Sequence, residues 1–188
     1  MSKKMFKICA SALLLLLIVA VLMGYWRSNM NSLSRFSRFI ESELEEISLT
    51  IYYRDFFRLS RPVALYQLVG GWYDETGRLM DGWYDYKVVI DGEELVMHRE
   101  LLIQLANIEL VPVRKESREH ARLYYVFEHA RHGEIFSFLF SGTVADAVFV
   151  NGRLVEDNRI FYEVVLPFLP ESAAEIIQSG IDTSWPVE

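Results

Sequence analysis

Apolar residues are distributed along this chain in three ways, and each predicts a different kind of element. From Ile8 to Trp26 they run almost unbroken, with no charged residue and only Ser11 as a side-chain hydroxyl before Tyr25. A helix of that length rises about 28 Å, close to the roughly 30 Å hydrocarbon thickness of a bilayer. Next, Leu33, Phe36, Ile40, Leu44 and Ile47 recur at spacings of 3, 4, 4 and 3 with Ser, Arg and Glu between them, which is the period of an amphipathic helix. Beyond Ile47, short β-branched and aromatic runs alternate with helical patterns bounded by Gly and Pro.

The third pattern resolves into elements. Residues 47–53 (ISLTIYY) predict a strand, and 62–69 a short helix entered through Ser60 and Pro62 and stopped by Gly70-Gly71. Residues 83–90 (WYDYKVVI) predict a strand closed by Asp91-Gly92, and 95–105 a helix with Leu95, His98, Leu101, Leu102 and Leu105 on one face. Strands are expected at 109–113, 121–128 and 134–140, then a hairpin of 147–150 with 153–155. Asn151-Gly152 supplies the positive φ angles that a two-residue hairpin turn requires. Helices are expected at 161–169 and 171–179, separated at Pro170. Strands adjoining through hairpins, without a strict βαβ rhythm, predict an α+β fold with a mainly antiparallel sheet and helices packed on one face.

The chain divides accordingly into an anchor at 1–26, a juxtamembrane amphipathic helix at 27–46 and one α+β domain at 47–188. Lys3, Lys4 and Lys7 precede the apolar run, and Tyr25 and Trp26 stand where amphipathic rings favour the membrane interface. The run is longer than a signal-peptide core, and neither Gly24 nor Ala20 has a small residue two positions before it, so an uncleaved single-pass anchor is expected. The denser positive charge on the N-terminal side favours the domain on the outer side of the cell membrane. The lone thiol, Cys9, opens the apolar run rather than following it, unlike a lipoprotein signal; it reads as a small apolar residue, with palmitoylation as the alternative.

Charge narrows the function classes. The chain has 19 Lys+Arg and 26 Asp+Glu; every acidic residue lies from Glu41 onward, so the residues after Trp26 carry 16 basic against 26 acidic side chains, a net of −10. A nucleic-acid binder needs a net basic surface, so none is expected. The expected partners are the lipid bilayer, through residues 8–26, and an envelope protein or cell-wall ligand. Arg54, Arg58 and Arg61 alternate with Tyr53, Phe56, Phe57 and Leu59, a pattern that suits either anionic headgroups or ion pairing within the acidic domain.

No nucleophile elbow, phosphate loop or dinucleotide fingerprint is present, and no cofactor is expected. His129 and His132, with Glu128 and Glu134, form EHARHGE between two predicted strands, with His120 upstream. Two His three apart beside carboxylates offer a weak metal-ligand set, and the alternative is a solvated turn closed by Gly133. His98, beside Glu93, Glu94 and Glu100, carries the same alternatives, and Asp85, Asp91, Glu93 and Glu94 are the carboxylates available for acid–base work. The most unusual local feature is Gly71-Trp72-Tyr73-Asp74, repeated eleven residues later as Gly82-Trp83-Tyr84-Asp85. Around Thr76-Gly77 the pair predicts an aromatic hairpin or two arms about a loop, and Trp72, Tyr73, Trp83 and Tyr84 are the candidate ligand-binding residues, with aromatic core packing as the alternative.

Two resemblances add to this reading. Trp72, Tyr73, Gly77, Met80, Gly82 and Trp83 resemble the aromatic hairpin of choline-binding or glucan-binding cell-wall repeats, with a spacing two residues shorter, which implies a carbohydrate or cell-wall ligand. The segments 47–53, 86–95, 101–113, 122–128 and 148–170 resemble small bacterial membrane-anchored or lipoprotein α+β domains, which implies an extracytoplasmic domain. A non-catalytic binding or interaction module anchored in the cell membrane is the function expected. A metal-assisted or carboxylate-based hydrolase and a structural subunit of a membrane complex are the alternatives.

Overall fold

The computed structural model describes residues 32–54, 63–114, 120–141 and 147–184. The expected anchor at 8–26 and Cys9 lie outside them, as do Phe56, Phe57, Arg58, Leu59 and Arg61. Among the described residues no helix is long and apolar enough to cross a membrane.

The fold is α+β. Helix α1 (Ser32–Ser42) leads through a 3-10 turn at Leu44–Glu46 into strand β1 (Ile47–Tyr53). Helix α2 (Leu65–Val69) and the strands β2 (Gly70–Tyr73), β3 (Leu79–Asp81) and β4 (Tyr86–Ile90) follow, then helices α3 (Gly92–Val96) and α4 (Arg99–Ala106). Strands β5 (Ala121–His129), β6 (Gly133–Ser141), β7 (Ala147–Val150) and β8 (Arg153–Glu156) complete the sheet, and helices α5 (Ile160–Glu163) and α6 (Glu171–Ser184) close the fold. Six strands make one antiparallel sheet in the order β4-β1-β5-β6-β7-β8, and β2 and β3 pair separately.

Alternation along β1 buries Ile47, Leu49, Ile51 and Tyr53, and the register brings them beside His129, Phe127, Tyr125 and Leu123 of β5. On that face Phe36 of α1 sits between Phe127 and Phe136, at 5.0 and 4.9 Å between ring centroids. Phe161 of α5 meets Phe138 at 5.1 Å, and the Tyr125 hydroxyl donates to the Phe161 carbonyl at 3.0 Å. The periodic residues Phe36, Ile40 and Leu44 are all buried in this core, so α1 and the turn after it form a layer of the domain rather than a free spacer. Burying each such side chain contributes about 1.5–3 kcal/mol.

The structure departs from the sequence expectations at identifiable places. Helices do not keep to one face: α2 lies on the other, where Leu68 packs with Val63, Ala121 and Leu139. The strand expected at 109–113 is only a bridge from Pro112 to Val155, because a proline has no N–H for a ladder. Flanking bonds from Val113 N to Leu154 O and from Glu156 N to Val111 O still cover the outer edge of β8. The helix expected at 161–169 gives way to α5 and a 3-10 turn at Leu166–Phe168, since Pro167 cannot continue an α-helical ladder. The helix expected at 95–105 is two, α3 and α4, with His98 at the junction. Asn151 and Gly152 have φ of 49° and 73°, the conformation expected of the β7–β8 turn.

Candidate functional site

The aromatic hairpin is built from α2 outward. Gln67 Oε1 accepts from Ala64 N at 3.0 Å and fixes the helix start, and Gly70, at φ 82°, ends it. The chain turns directly into β2, which pairs with β3 as Trp72 beside Met80 and Tyr73 beside Leu79. The connecting turn is pinned by one carboxylate: Asp74 Oδ1 accepts from Thr76 N at 2.9 Å, Thr76 Oγ1 at 2.6 Å and Arg78 N at 3.0 Å. The Thr76 hydroxyl bond, with the Arg78 amide next, holds the Asp74 carboxyl below its ordinary range. After β3, the chain passes so close to α2 that a Cβ at Gly82 would collide with the Leu68 carbonyl, and Trp83 N donates to Gln67 O at 2.9 Å. That bond ties Trp83 to α2 instead of the main sheet, which is why β4 starts at Tyr86 rather than at residue 83.

The two Gly-Trp-Tyr-Asp copies therefore take different conformations yet bring their tryptophans together. The Trp72 and Trp83 rings stand 6.4 Å apart at 73°, and Tyr66 closes on Trp72 at 6.1 Å and 85°. Tyr73, Tyr66, Leu79 and Trp83 are 69, 57, 56 and 40% exposed, far more than core packing leaves open. Trp72 is half-buried, and its enclosed Nε1 has no acceptor among the described residues. The Arg54 guanidinium lies over the Trp83 ring at 5.8 Å and reaches the Trp83 carbonyl at 3.4 Å.

Tyr84 leaves this cluster. Its ring meets Tyr52 edge-on at 5.6 Å, Tyr52 meets Tyr124 at 6.0 Å, and Lys87 Nζ stands 5.3 Å from the Tyr52 ring. A tyrosine row thus crosses the face of the sheet opposite the main core. Burial, with the Glu134 carboxylate next in weight, pushes the Tyr124 phenol up to about 12. Tyr52 and Tyr124 were legible only as alternate residues of two strands, and nothing in the sequence indicated that they adjoin Tyr84.

The histidines arrange otherwise than a solvated turn predicts. His129 is buried at the end of β5, with Nε2 3.2 Å from Glu43 Oε2 and 3.9 Å from Glu46 Oε2. His132 remains exposed in the turn, its ring 4.8 Å from that of His129, and Phe39 packs on both. Glu128 and Glu134 are exposed and face each other across β5 and β6. Among the described residues, Glu43, Glu46 and His129 are the one group with ligand atoms close enough to share a cation, within 4.8 Å of one another. Their bonding does not suit one. Arg131 N donates to His129 Nδ1 at 3.1 Å, which leaves the ring proton on Nε2, where a metal would need a lone pair. The Arg131 guanidinium also grips both oxygens of Glu46, and this bond holds the Glu46 carboxyl below its ordinary value.

The remaining candidates have local structural partners. Asp91 caps α3, accepting from Glu94 N at 3.0 Å, and Asp85 N donates to Tyr53 O at 2.9 Å. His98 stands edge-on to Phe168 at 4.8 Å. His120 and Arg122 are buried beside Arg54, whose amide donates to Arg122 O at 2.8 Å. Burial, with Arg122 and Arg54 next in weight, lowers the His120 pKa.

No protein-family model matches this chain, and no curated protein or solved structure matches it at a significant level.

Proposed function

We propose that this chain is a non-catalytic binding module held in a bacterial cell membrane by a single-pass helix at residues 8–26, with its α+β domain on the outer side and the β2–β3 hairpin as its recognition surface. The observation that carries the reading is the cluster of Tyr66, Trp72 and Trp83 beside a hairpin with a pinned turn, with the large apolar surfaces of Tyr66, Trp83 and the hairpin's Tyr73 left in water. Solvation of such rings is unfavourable, and a concentrated exposed patch marks a contact surface more often than a packing fault. The bonding of His129 speaks against a metal-assisted hydrolase, and the capping bond of Asp91 gives that carboxylate a structural task. A subunit role working through α1 is weakened by the burial of Phe36, Phe39 and Ile40.

Two measurements test the proposal together. A pair of reporters of opposite compartment preference, fused after Glu188, is expected to show activity outside. Full-length protein in nanodiscs is expected to be retained by insoluble cell-wall material and to lose that retention in Trp83→Ala. Activity inside, or retention that ignores Trp83, overturns the reading.

A further inference from the structure

The hairpin and the membrane-proximal helix lie at opposite ends of the sheet. Arg35 donates to the His132 carbonyl, Phe36 packs on Phe127 and Phe136, and Glu43 meets His129, so α1 docks at the β5–β6 turn. The aromatic cluster adjoins the other end of the same strands, where Arg54 N bonds to Arg122 O and Ala121 N to Val63 O. The nine residues of β5 separate the two by about 26 Å at a rise of roughly 3.3 Å per residue. The rings are therefore displaced from the end of the domain at which the chain arrives from its proposed anchor.

The cluster's size and charge narrow what it takes. A stable protein interface engages roughly 20–30 residues a side. The exposed rings here are few, and they stand at steep angles to one another, offering separate faces and edges rather than a flat sheet. The C–H face of a pyranose is an apolar surface of ring size, suited to stacking on such side chains. Arg54 already occupies one face of Trp83, which disfavours a cationic ligand and presents a positive charge at the rim. Arg54 presents this charge on a domain whose net charge is strongly negative. Among the described residues the enclosed Trp72 Nε1–H has no acceptor.

Resting on the proposed binding role of the hairpin, we propose that its ligand is an acidic polysaccharide: a sugar ring stacks at the open part of Trp83, and its carboxylate meets Arg54. The polymer lies away from the bilayer, at the end of the sheet remote from α1.

The test uses full-length protein in nanodiscs and two probes of equal length, hexagalacturonate and the neutral cellohexaose, followed by calorimetry and tryptophan emission. Hexagalacturonate is expected to bind with a shift in emission, and cellohexaose about tenfold or more weaker. Trp83→Ala should abolish binding, whereas Arg54→Gln should reduce it by about tenfold and Arg54→Lys should keep most of it. Circular dichroism identifies any variant that has not folded. Equal binding of the two probes, or binding of neither, overturns the acidic-saccharide assignment, and so does equal binding of hexaglutamate. If neither sugar binds while cell-wall material still retains the wild type and not Trp83→Ala, the ligand class is wrong and the binding module stands. Loss of that retention too would remove both.

Discussion

Glu43 and His129, 86 residues apart in sequence, meet at 3.2 Å between Oε2 and Nε2, and this bond fastens the end of α1 to the end of β5. The other imidazole nitrogen accepts from Arg131 N, so the ring bridges two chain segments through both of its polar atoms. His129→Ala removes both bonds and leaves a void beside Phe39. It is expected to cost about 2–4 kcal/mol in urea unfolding. Glu43→Ala, which leaves Nε2–H with the more distant Glu46, should cost about 1 kcal/mol. A silent His129→Ala would show that the ring does not fasten α1.

The same corner is expected to weaken in acid. The Arg131 bond holds the Glu46 carboxyl below its ordinary value of 4.5. A carboxyl with a lowered folded pKa contributes stability that is fully present above the unfolded value and is lost as pH falls through the folded one. The share of stability due to Glu46 should therefore be constant down to about 5 and decline below its ordinary value, with α1 amides exchanging faster. Arg131→Gln should blunt the part of that decline due to Glu46; an unchanged profile in this variant would disprove the assignment.

Divalent metal is expected to leave the domain's melting temperature unchanged. A ligand that binds the native state alone raises stability by RT ln(1 + [L]/Kd), so a tight site would register at micromolar zinc. The tautomer assigned to His129 predicts no rise. A zinc-dependent increase abolished by His129→Gln would refute it.

Two glycines separate packing from chain entropy. A Cβ at Gly82 collides with the Leu68 carbonyl and the Tyr84 ring, so Gly82→Ala is expected to cost about 1–3 kcal/mol and to shift the emission of the neighbouring tryptophans. Gly180 sits within α6 with open space where its Cβ would be, and Gly180→Ala should stabilise by about 0.4–1 kcal/mol. Thermal melts of the two variants should move in opposite directions.

Local rules made much of the fold legible. The β-branched and aromatic residues of ISLTIYY marked a strand, the 3–4 spacing from Leu33 to Ile47 marked an amphipathic helix, and Asn151-Gly152 marked a turn. The errors came where one backbone group decided the outcome. Pro112 and Pro167 each withheld an N–H, and Trp83 N bonded to α2 instead of the sheet. Trp72, Tyr73 and Trp83 stood out in the sequence because their motif is repeated. The group around His129 did not, because Glu43 and Glu46 reach it only through the pairing of β1 with β5, which no local spacing records.

The shared core of α1 and the sheet makes the domain a stiff lever. With Phe36 wedged between Phe127 and Phe136, a tilt of the helix is transmitted rather than absorbed at a hinge. Over a strand about 26 Å long, a tilt of about 10° at α1 swings the aromatic hairpin through about 5 Å. On the proposed anchor, the orientation of α1 to the bilayer would then set the height at which the rings search.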